Sequence, residues 1–279
     1  MTRRLAELWY RFSGNRAALV ALVVIAVMAI VALAAPMLAP YDPLAIDLEK
    51  WEQPPSAEHW LGTDGKGRDV LSRIMYGARI SFQVAGFSVA IALVAGGLIG
   101  LCAGYFGKWV DLALSRLTDM MFAFPDIVLA LVIMAALGAN RTNLMIAIGV
   151  VYTPIFARIA RGAVLAVKRR PFVEAAVAMG LPQWRIMLRH VLPNILAPLL
   201  VQVTLSLAFA ILAEAALSFL GLGVEADVPS WGNMLLEGKQ IMRDAWWVAV
   251  FPGVAITLAV LSFNLLGDGL RDALDPRHA

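Results

Sequence analysis

Glu174 is the only acidic side chain in the most basic loop of the sequence, residues 167–193, and it is the first candidate for a functional contact. Small residues follow it at Ala175 and Ala176, and Gly180 can stop a helix soon afterwards. We therefore predict a short helix that carries one carboxylate on a basic surface. Such a helix can seat in a groove of a partner protein and transmit its movement, whereas an ordinary amphipathic linker is the alternative.

Two carboxylates inside long apolar runs are the next candidates, because a charge near the centre of a membrane helix costs about 2.5 to 3.5 kcal/mol. Asp126 follows Pro125, and it either caps backbone groups that the proline leaves free or lines a cavity. Glu214 is predicted to approach the external interface, where it either contacts a partner subunit or a gate or is simply exposed. Arg116 and Asp119 are spaced to form a structural ion pair.

Enzymatic and metal chemistry are disfavoured by what the sequence lacks. It contains no Gly-x-x-x-x-Gly-Lys-Ser/Thr phosphate loop, no Gly-x-Ser-x-Gly and no His-Glu-x-x-His. Cys102 is the only cysteine, and the histidines His59, His190 and His278 belong to different loops. We therefore expect no catalytic residue, no metal site and no cofactor bound by this chain.

The elements that must position these residues are transmembrane helices. The chain is 61% hydrophobic and 15% charged, whereas soluble domains contain roughly 45 to 50% apolar residues. We predict an all-α polytopic membrane protein surrounded by lipid, with six transmembrane helices. Runs that can cross about 30 Å of hydrocarbon lie at residues 18–39, 81–105, 112–137, 144–166, 194–220 and 247–267. The first run is longer than the apolar part of a signal peptide, which favours an uncleaved anchor.

The distribution of charge predicts the orientation, because lysine and arginine collect on the cytoplasmic side. The net charge of +3 comes from bases in short loops, so we expect no nucleic-acid partner. Both termini and loop 167–193 are predicted to be cytoplasmic, and residues 40–80 and 221–246 external. The basic residues that carry this prediction are Arg3, Arg4, Arg11, Arg16, Lys108, Arg116, Lys168, Arg169, Arg170, Arg185 and Arg189. An aromatic belt at the outer surface is predicted at Trp231, Trp246 and Trp247.

Glycine and proline add two expectations about packing. Gly96, Gly100 and Gly104 repeat on one helical face and predict a close approach of a neighbouring helix, most simply within the bundle. Residues 41–79 are too polar to span a membrane and are rich in glycine and proline, which predicts an ordered external lead-in.

Several stretches resemble one family of membrane transport subunits. The loop around Glu174 resembles the EAA loop of permease subunits of ATP-binding-cassette importers. Further similar stretches are LGTD at 61–64, GRDVLSR at 67–73, AFP at 123–125, HVLPN at 190–194, EAALSFLGLG at 214–223, SWG at 230–232 and NLLGDGLRD at 264–272. In this order they resemble the C-type subunit of dipeptide, oligopeptide and nickel importers over nearly the whole chain. His190 departs from the general EAA pattern, which has isoleucine there.

The resemblance implies a type I ABC importer permease fold in a bacterial cytoplasmic (inner) membrane. Residues 1–80 would hold the N-terminal cytoplasmic segment, the first transmembrane helix and the lead-in, and residues 81–279 the core permease domain. The implied partners are a homologous second permease, two cytoplasmic ABC ATPases that bind ATP and magnesium, an external solute-binding protein and a peptide substrate. The residues implied to couple to the ATPases are Glu174, Ala175, Ala176, Gly180, Leu181 and Pro182.

Three alternatives remain at this point. The same architecture can import nickel or another small solute, since a chelated metal handed over by a binding protein needs no ligand cluster in the membrane. A stand-alone secondary transporter or channel is kept open by Asp126, which is the one deep carboxylate, although no internal repeat is evident. A membrane enzyme would need a nucleophile, a base or a metal site, which the sequence does not show.

Overall fold

The helices follow the apolar runs in a computed structural model that describes residue 10 and residues 12–274. In this part of the chain the only β feature is an isolated bridge between Thr63 and Asp69, so the predicted all-α fold is confirmed. The helices are α1 (Arg16–Leu38), α2 (Val70–Phe106), α3 (Lys108–Phe122), α4 (Asp126–Leu137), α5 (Arg141–Lys168), α6 (Pro171–Ala178), α7 (Gln183–Phe219), α8 (Trp231–Gln240) and α9 (Trp247–Leu274), with a 3-10 turn at Leu48–Lys50.

Over the described residues, α1, α2, α5, α7 and α9 are each long and apolar enough to cross a membrane. Helices α3 and α4 are long and apolar enough only when taken together, and they meet at an angle of 90°. The prediction of one helix over residues 112–137 is therefore wrong. Pro125 has no N–H to continue the hydrogen-bond ladder, and the two halves differ in character, since α3 carries charges and α4 is apolar.

Two helices begin earlier than the apolar runs indicate. Helix α2 starts at Val70 rather than near residue 81, because the Asp69 side chain caps it by accepting a hydrogen bond from the Ser72 N–H. Helix α7 starts at Gln183 rather than at residue 194 and contains a π-helical segment, Met187–Val191. The predicted boundary between residues 80 and 81 thus falls inside α2.

The closest packing in the fold joins α2 to α5 along the predicted glycine face. A Cβ atom added to Gly96 would lie 2.6 Å from the Phe156 Cβ, and one added to Gly104 would lie 2.8 Å from the Val164 Cβ. Gly100 lies between them, where an added Cβ would be 2.6 Å from the Ala160 Cβ. The prediction that this face packs within the bundle is confirmed.

Contacts between distant residues define two ends of the bundle. At the end that carries α6, the Lys168 ammonium donates a hydrogen bond to the carbonyl of Tyr105 at 2.5 Å. At the opposite end, which carries α8, the indole N–H of Trp231 donates to the carbonyl of Ile74 at 3.1 Å. We call these the α6 end and the α8 end.

The lead-in is ordered, as predicted, but it changes the role of the tryptophans at the α8 end. Trp231 is fully buried and Trp247 is 5% exposed, and the Trp247 indole N–H donates to the Thr63 carbonyl at 3.0 Å. The predicted aromatic belt is therefore wrong for these two residues, because Trp247 packs against the lead-in and Trp231 packs against α2 at Ile74 and Phe82. Trp246 is half exposed.

Candidate functional site

The helix predicted around Glu174 is present as α6, and it is attached to the bundle by one face. Pro171 occupies its first turn, where a missing N–H costs nothing. Val173 and Ala176 are buried in the main hydrophobic core, whereas Glu174 and Ala175 are exposed. The acidic side chain therefore points away from the core on a helix that the core holds in place.

Glycine ends α6 with a well-defined turn. Gly180 has φ of +74°, a conformation that L-residues rarely adopt, and its N–H donates to the Val177 carbonyl at 2.9 Å. The Leu181 N–H donates to the Ala176 carbonyl at 3.2 Å, which completes a Schellman motif. Pro182 then forms the N-cap of α7. The four-residue connection between α6 and α7, residues 179–182, is therefore held by backbone hydrogen bonds at Gly180 and Leu181.

Apolar side chains next to Glu174 are exposed at the α6 end. The exposed fractions are 60% for Val177, 71% for Met179 and 58% for Trp184, and the Arg185 guanidinium lies 5.5 Å from the centre of the Trp184 ring. We call the surface formed by these five residues the α6 surface. Exposed apolar groups gathered beside charges are typical of a protein interaction site.

Asp126 is exposed at the start of α4 and lines a cavity of about 230 Å³ between α4, α5 and α7. Its carboxylate makes no hydrogen bond to any residue that the structure describes, so the prediction that it caps the local backbone is wrong. Cavity lining, the second alternative, agrees with the structure. A role in a pathway stays a prediction.

Glu214 is fully buried rather than exposed at an interface, so the expectation of interfacial exposure is wrong. Its carboxylate accepts hydrogen bonds from the Ser81 hydroxyl at 2.8 Å and the Ser218 hydroxyl at 3.0 Å. These contacts join α2 and α7 near the α8 end and give the buried carboxyl group the hydrogen-bond partners that a buried polar group requires. A role of Glu214 in a gate stays a prediction.

The expected ion pair between Arg116 and Asp119 is wrong. The acids of α3 pair instead with arginines of α5. Asp119 accepts from Arg158 at 3.2 Å, and Asp111 accepts two hydrogen bonds from Arg161, at 2.5 and 2.7 Å. Both pairs tie α3 to α5. Spacing along one helix could not reveal a partner that α5 supplies.

A buried ionic cluster at the α8 end was missed by the sequence analysis. Arg73, fully buried on α2, pairs with Asp64 of the lead-in and with Glu237 of α8, the latter at 2.6 Å. Arg68 bridges the same two acids at 2.7 and 2.8 Å. We call these four residues the ionic cluster. The signal for it was a polar lead-in rich in charge next to a helix, but its pairing could not be read from the sequence.

The two histidines within the described residues lie in different parts of the fold. His59 is buried and its Nδ1 lies 2.9 Å from an Asp69 carboxylate oxygen, while His190 lies in the π-helical segment of α7. His278 is outside the described residues. Within residues 10 and 12–274, no three His, Cys, Asp or Glu side chains come together as a metal site.

Most of the chain matches known protein families. Residues 96–279 match the family described as binding-protein-dependent transport system inner membrane component. Residues 4–55 match the N-terminal transmembrane domain of oligopeptide transport permease C. The two matches together include α1 and every helix from α3 onward.

Curated relatives match over nearly their full length. A dipeptide transport system permease protein of Alkalihalophilus pseudofirmus is 47% identical, with 97% of this chain and 89% of that protein covered. A di/tripeptide transport system permease protein of Pseudomonas aeruginosa is 44% identical, covering 98% and 92%. A glutathione transport system permease protein of Pectobacterium atrosepticum is 42% identical, covering 97% and 90%.

Solved structures share the fold at low sequence identity. A chain of the inward-facing MetNI methionine ABC transporter superposes with a TM-score of 0.60 at 19% identity, covering 73% of this chain and 97% of that chain. A chain of an amino acid ABC transporter gives 0.56 at 18% identity, covering 71% and 92%. The helical arrangement is therefore that of type I ABC importer membrane subunits.

Proposed function

The chain belongs to the family of binding-protein-dependent transport system inner membrane components, the permease subunits of ABC importers, and we propose that its importer moves di- and oligopeptides across a bacterial cytoplasmic membrane. The relatives are named for dipeptides, di/tripeptides and glutathione, which is itself a tripeptide. These solutes share the peptide bond and differ in their side chains. This supports a pathway of broad specificity, with selection left to an external binding protein.

The proposed complex contains four further subunits of three kinds. A homologous second permease would complete the pathway, two cytoplasmic ATPases would bind ATP and magnesium, and a binding protein would deliver the solute. The family description, which names dependence on a binding protein, supports this composition. This chain has no phosphate loop in its sequence, so we assign ATP hydrolysis to the partner subunits.

We assign the α6 end to the cytoplasm, with both chain termini on that side. Lys168, Arg169 and Arg170 precede α6, and Arg185 and Arg189 follow it, which fits the preference of basic residues for the cytoplasmic face. The α8 end, with its lead-in, would then meet the binding protein.

The observation that carries the coupling role is the two-faced packing of α6. Val173 and Ala176 fix the helix to the core, while Glu174 and the rest of the α6 surface face outward. Closure of the ATPases would push on this surface, and the stiff turn at Gly180 would pass the displacement into α7. Two arrangements of the permease pair with different contacts to the ATPases are what such coupling requires.

Glu174→Lys is expected to lower substrate-stimulated ATP hydrolysis by the reconstituted importer about fivefold or more. The change reverses the charge at position 174 without touching the core, and a contact across an interface between charged groups is worth about 1 to 3 kcal/mol. Stimulation by loaded binding protein in proteoliposomes is the measurement.

Asp272→Lys is the matched control, since it reverses an exposed acid near the end of α9, outside the α6 surface. Gly180→Pro tests the turn separately, because proline fixes φ near −65° and removes the N–H that bonds Val177. Both α6 variants should still insert and assemble. If each retained full stimulation while assembled, the coupling role would be refuted.

The substrate class is tested by uptake of labelled di- and tripeptides and of labelled nickel in cells with and without this chain. We expect loss of peptide uptake alone when the chain is deleted and its partner subunits are kept. Loss of nickel uptake alone would keep the architecture and overturn the substrate.

A further inference from the structure

The cavity beside Asp126 is apolar except at one end. Its walls come from α4, α5 and α7, with Ile127, Val151 and Phe209 among the lining side chains. Among the described residues that line it, Asp126 alone is charged. Its volume of about 230 Å³ leaves room for a group of a ligand beside Asp126.

The Asp126 carboxylate has an unused capacity to bind a cation. No Lys, Arg or His among the described residues pairs with it, in contrast to Asp111 and Asp119, which are paired with arginines of α5. Asp126 lies in the first turn of α4, where the partial positive charge of the helix N-terminus favours a negative side chain. The carboxylate of Asp126 is therefore free to bind a cationic group of a ligand.

A second acceptor lines the same cavity. The Tyr152 hydroxyl donates its proton to the Phe209 carbonyl at 3.2 Å, so its oxygen is left to accept a hydrogen bond. A primary ammonium group carries three N–H donors and can use both the carboxylate and this oxygen. A bare divalent ion fits less well, because it seeks several oxygen ligands and this cavity offers one carboxylate.

We propose that Asp126 binds the N-terminal ammonium group of the transported peptide, while the apolar walls of the cavity hold its first side chain. This inference rests on the proposed function, since it assigns a subsite within the peptide pathway. The α-amino group is shared by all unblocked peptides and is largely protonated at neutral pH, its usual pKa being about 7.7 to 8.0. A contact to this group accepts peptides regardless of their side chains, and it discriminates against peptides whose amine is acetylated.

Asp126→Asn removes the charge with little change in size, so it isolates the electrostatic contact. In proteoliposomes that hold the whole importer with saturating binding protein, we expect the rate of dialanine uptake to fall about tenfold or more, as for a lost hydrogen bond between charged groups. Uptake of N-acetyl-dialanine should be unchanged from its wild-type rate. Asp126→Glu, which keeps the charge, should restore much of the dialanine rate. Asp268→Asn is the control, since it removes an exposed carboxylate of α9 that forms no ion pair among the described residues.

Occupancy of the cavity is measured separately from transport. Ala216, which lines the cavity, is replaced by cysteine in a Cys102→Ala background, and labelling by a membrane-impermeant thiol reagent is timed in the assembled importer during ATP turnover. Dialanine should slow labelling several-fold and N-acetyl-dialanine should not. Adding Asp126→Asn should abolish the protection by dialanine.

The outcomes separate this inference from the function on which it rests. If dialanine uptake does not depend on this chain at all, the proposed function falls. If uptake depends on the chain but Asp126→Asn behaves like Asp268→Asn and protection is unchanged, the ammonium site is overturned and the importer remains. A cysteine at position 216 that is never labelled would show a cavity closed to water, by lipid or by another subunit, and would also overturn the site.

Discussion

Arg73→Leu is expected to destabilise the folded chain by about 3 to 5 kcal/mol, the usual cost of removing one partner from a buried ion pair. Arg73 is fully buried, and it faces the carboxylates of Asp64 and Glu237 together with Arg68. Without it, two carboxylates share one arginine in a site from which water is largely excluded. The lead-in and α8 would then lose the cation that holds them to α2.

Thermal unfolding of the purified importer, followed by size exclusion after heating, is the measurement. A loss of this size corresponds to a fall in Tm of roughly 6 to 20 °C for a chain of this length. Arg79→Leu is the matched control, since Arg79 is exposed on the same helix and should shift Tm by little.

The combination of Arg73→Leu with Glu237→Leu should be less destabilised than Arg73→Leu alone, because it leaves the neutral pair of Arg68 and Asp64. A double variant that is worse than the single one would contradict the charge-balance account of the ionic cluster.

Gly100→Leu is expected to prevent α2 and α5 from packing. Most of the assembled importer should then be missing from the membrane. An added Cβ would overlap the backbone carbonyl of Ala157 as well as approach the Ala160 Cβ at 2.6 Å, and neither can move aside without separating the helices. Overpacking usually costs about 1 to 3 kcal/mol, and it costs more where the backbone must shift. The amount of importer recovered from the membrane at equal expression measures the effect.

Gly97→Leu is a close control, because it lies on the same helix and nothing is within 4 Å of its added Cβ. Gly97→Leu makes the same glycine-to-leucine substitution and raises the helix propensity. The amount of importer recovered should therefore be near that of the wild type. Equal recovery of both variants would mean that the glycine face does not set the distance between α2 and α5.

Local patterns in the sequence predicted much of this fold. Counting apolar runs placed the spans, since a bilayer demands about 20 apolar residues from every helix that crosses it. The spacing of Gly96, Gly100 and Gly104 identified the closest helix contact. The ends of α6 followed from Pro171 and Gly180, whose backbone preferences act without help from distant residues.

What could not be predicted depends on partners far away in the chain. Arg73 and Glu237 are separated by 164 positions, and Ser81 and Glu214 by 133, so no local pattern joins them. Tryptophan is common at membrane interfaces, and only the packing of Trp231 against Ile74 and Phe82 of α2 shows that it is buried. Hydropathy averaged over residues 112–137 also concealed the break at Pro125, because both halves contribute apolar residues to one window.

The ionic cluster has a consequence for the timing of biogenesis. At about 5 to 20 residues per second, roughly 10 to 30 s pass between synthesis of Arg73 and synthesis of Glu237. During that interval the half-made chain must keep the start of α2 hydrated, and the lead-in closes over α8 only after most spans have been inserted. A chain that stops short of α8 therefore leaves Arg68 and Arg73 with Asp64 as their one acidic partner in the ionic cluster, and this part of the chain stays unneutralised until Glu237 is made.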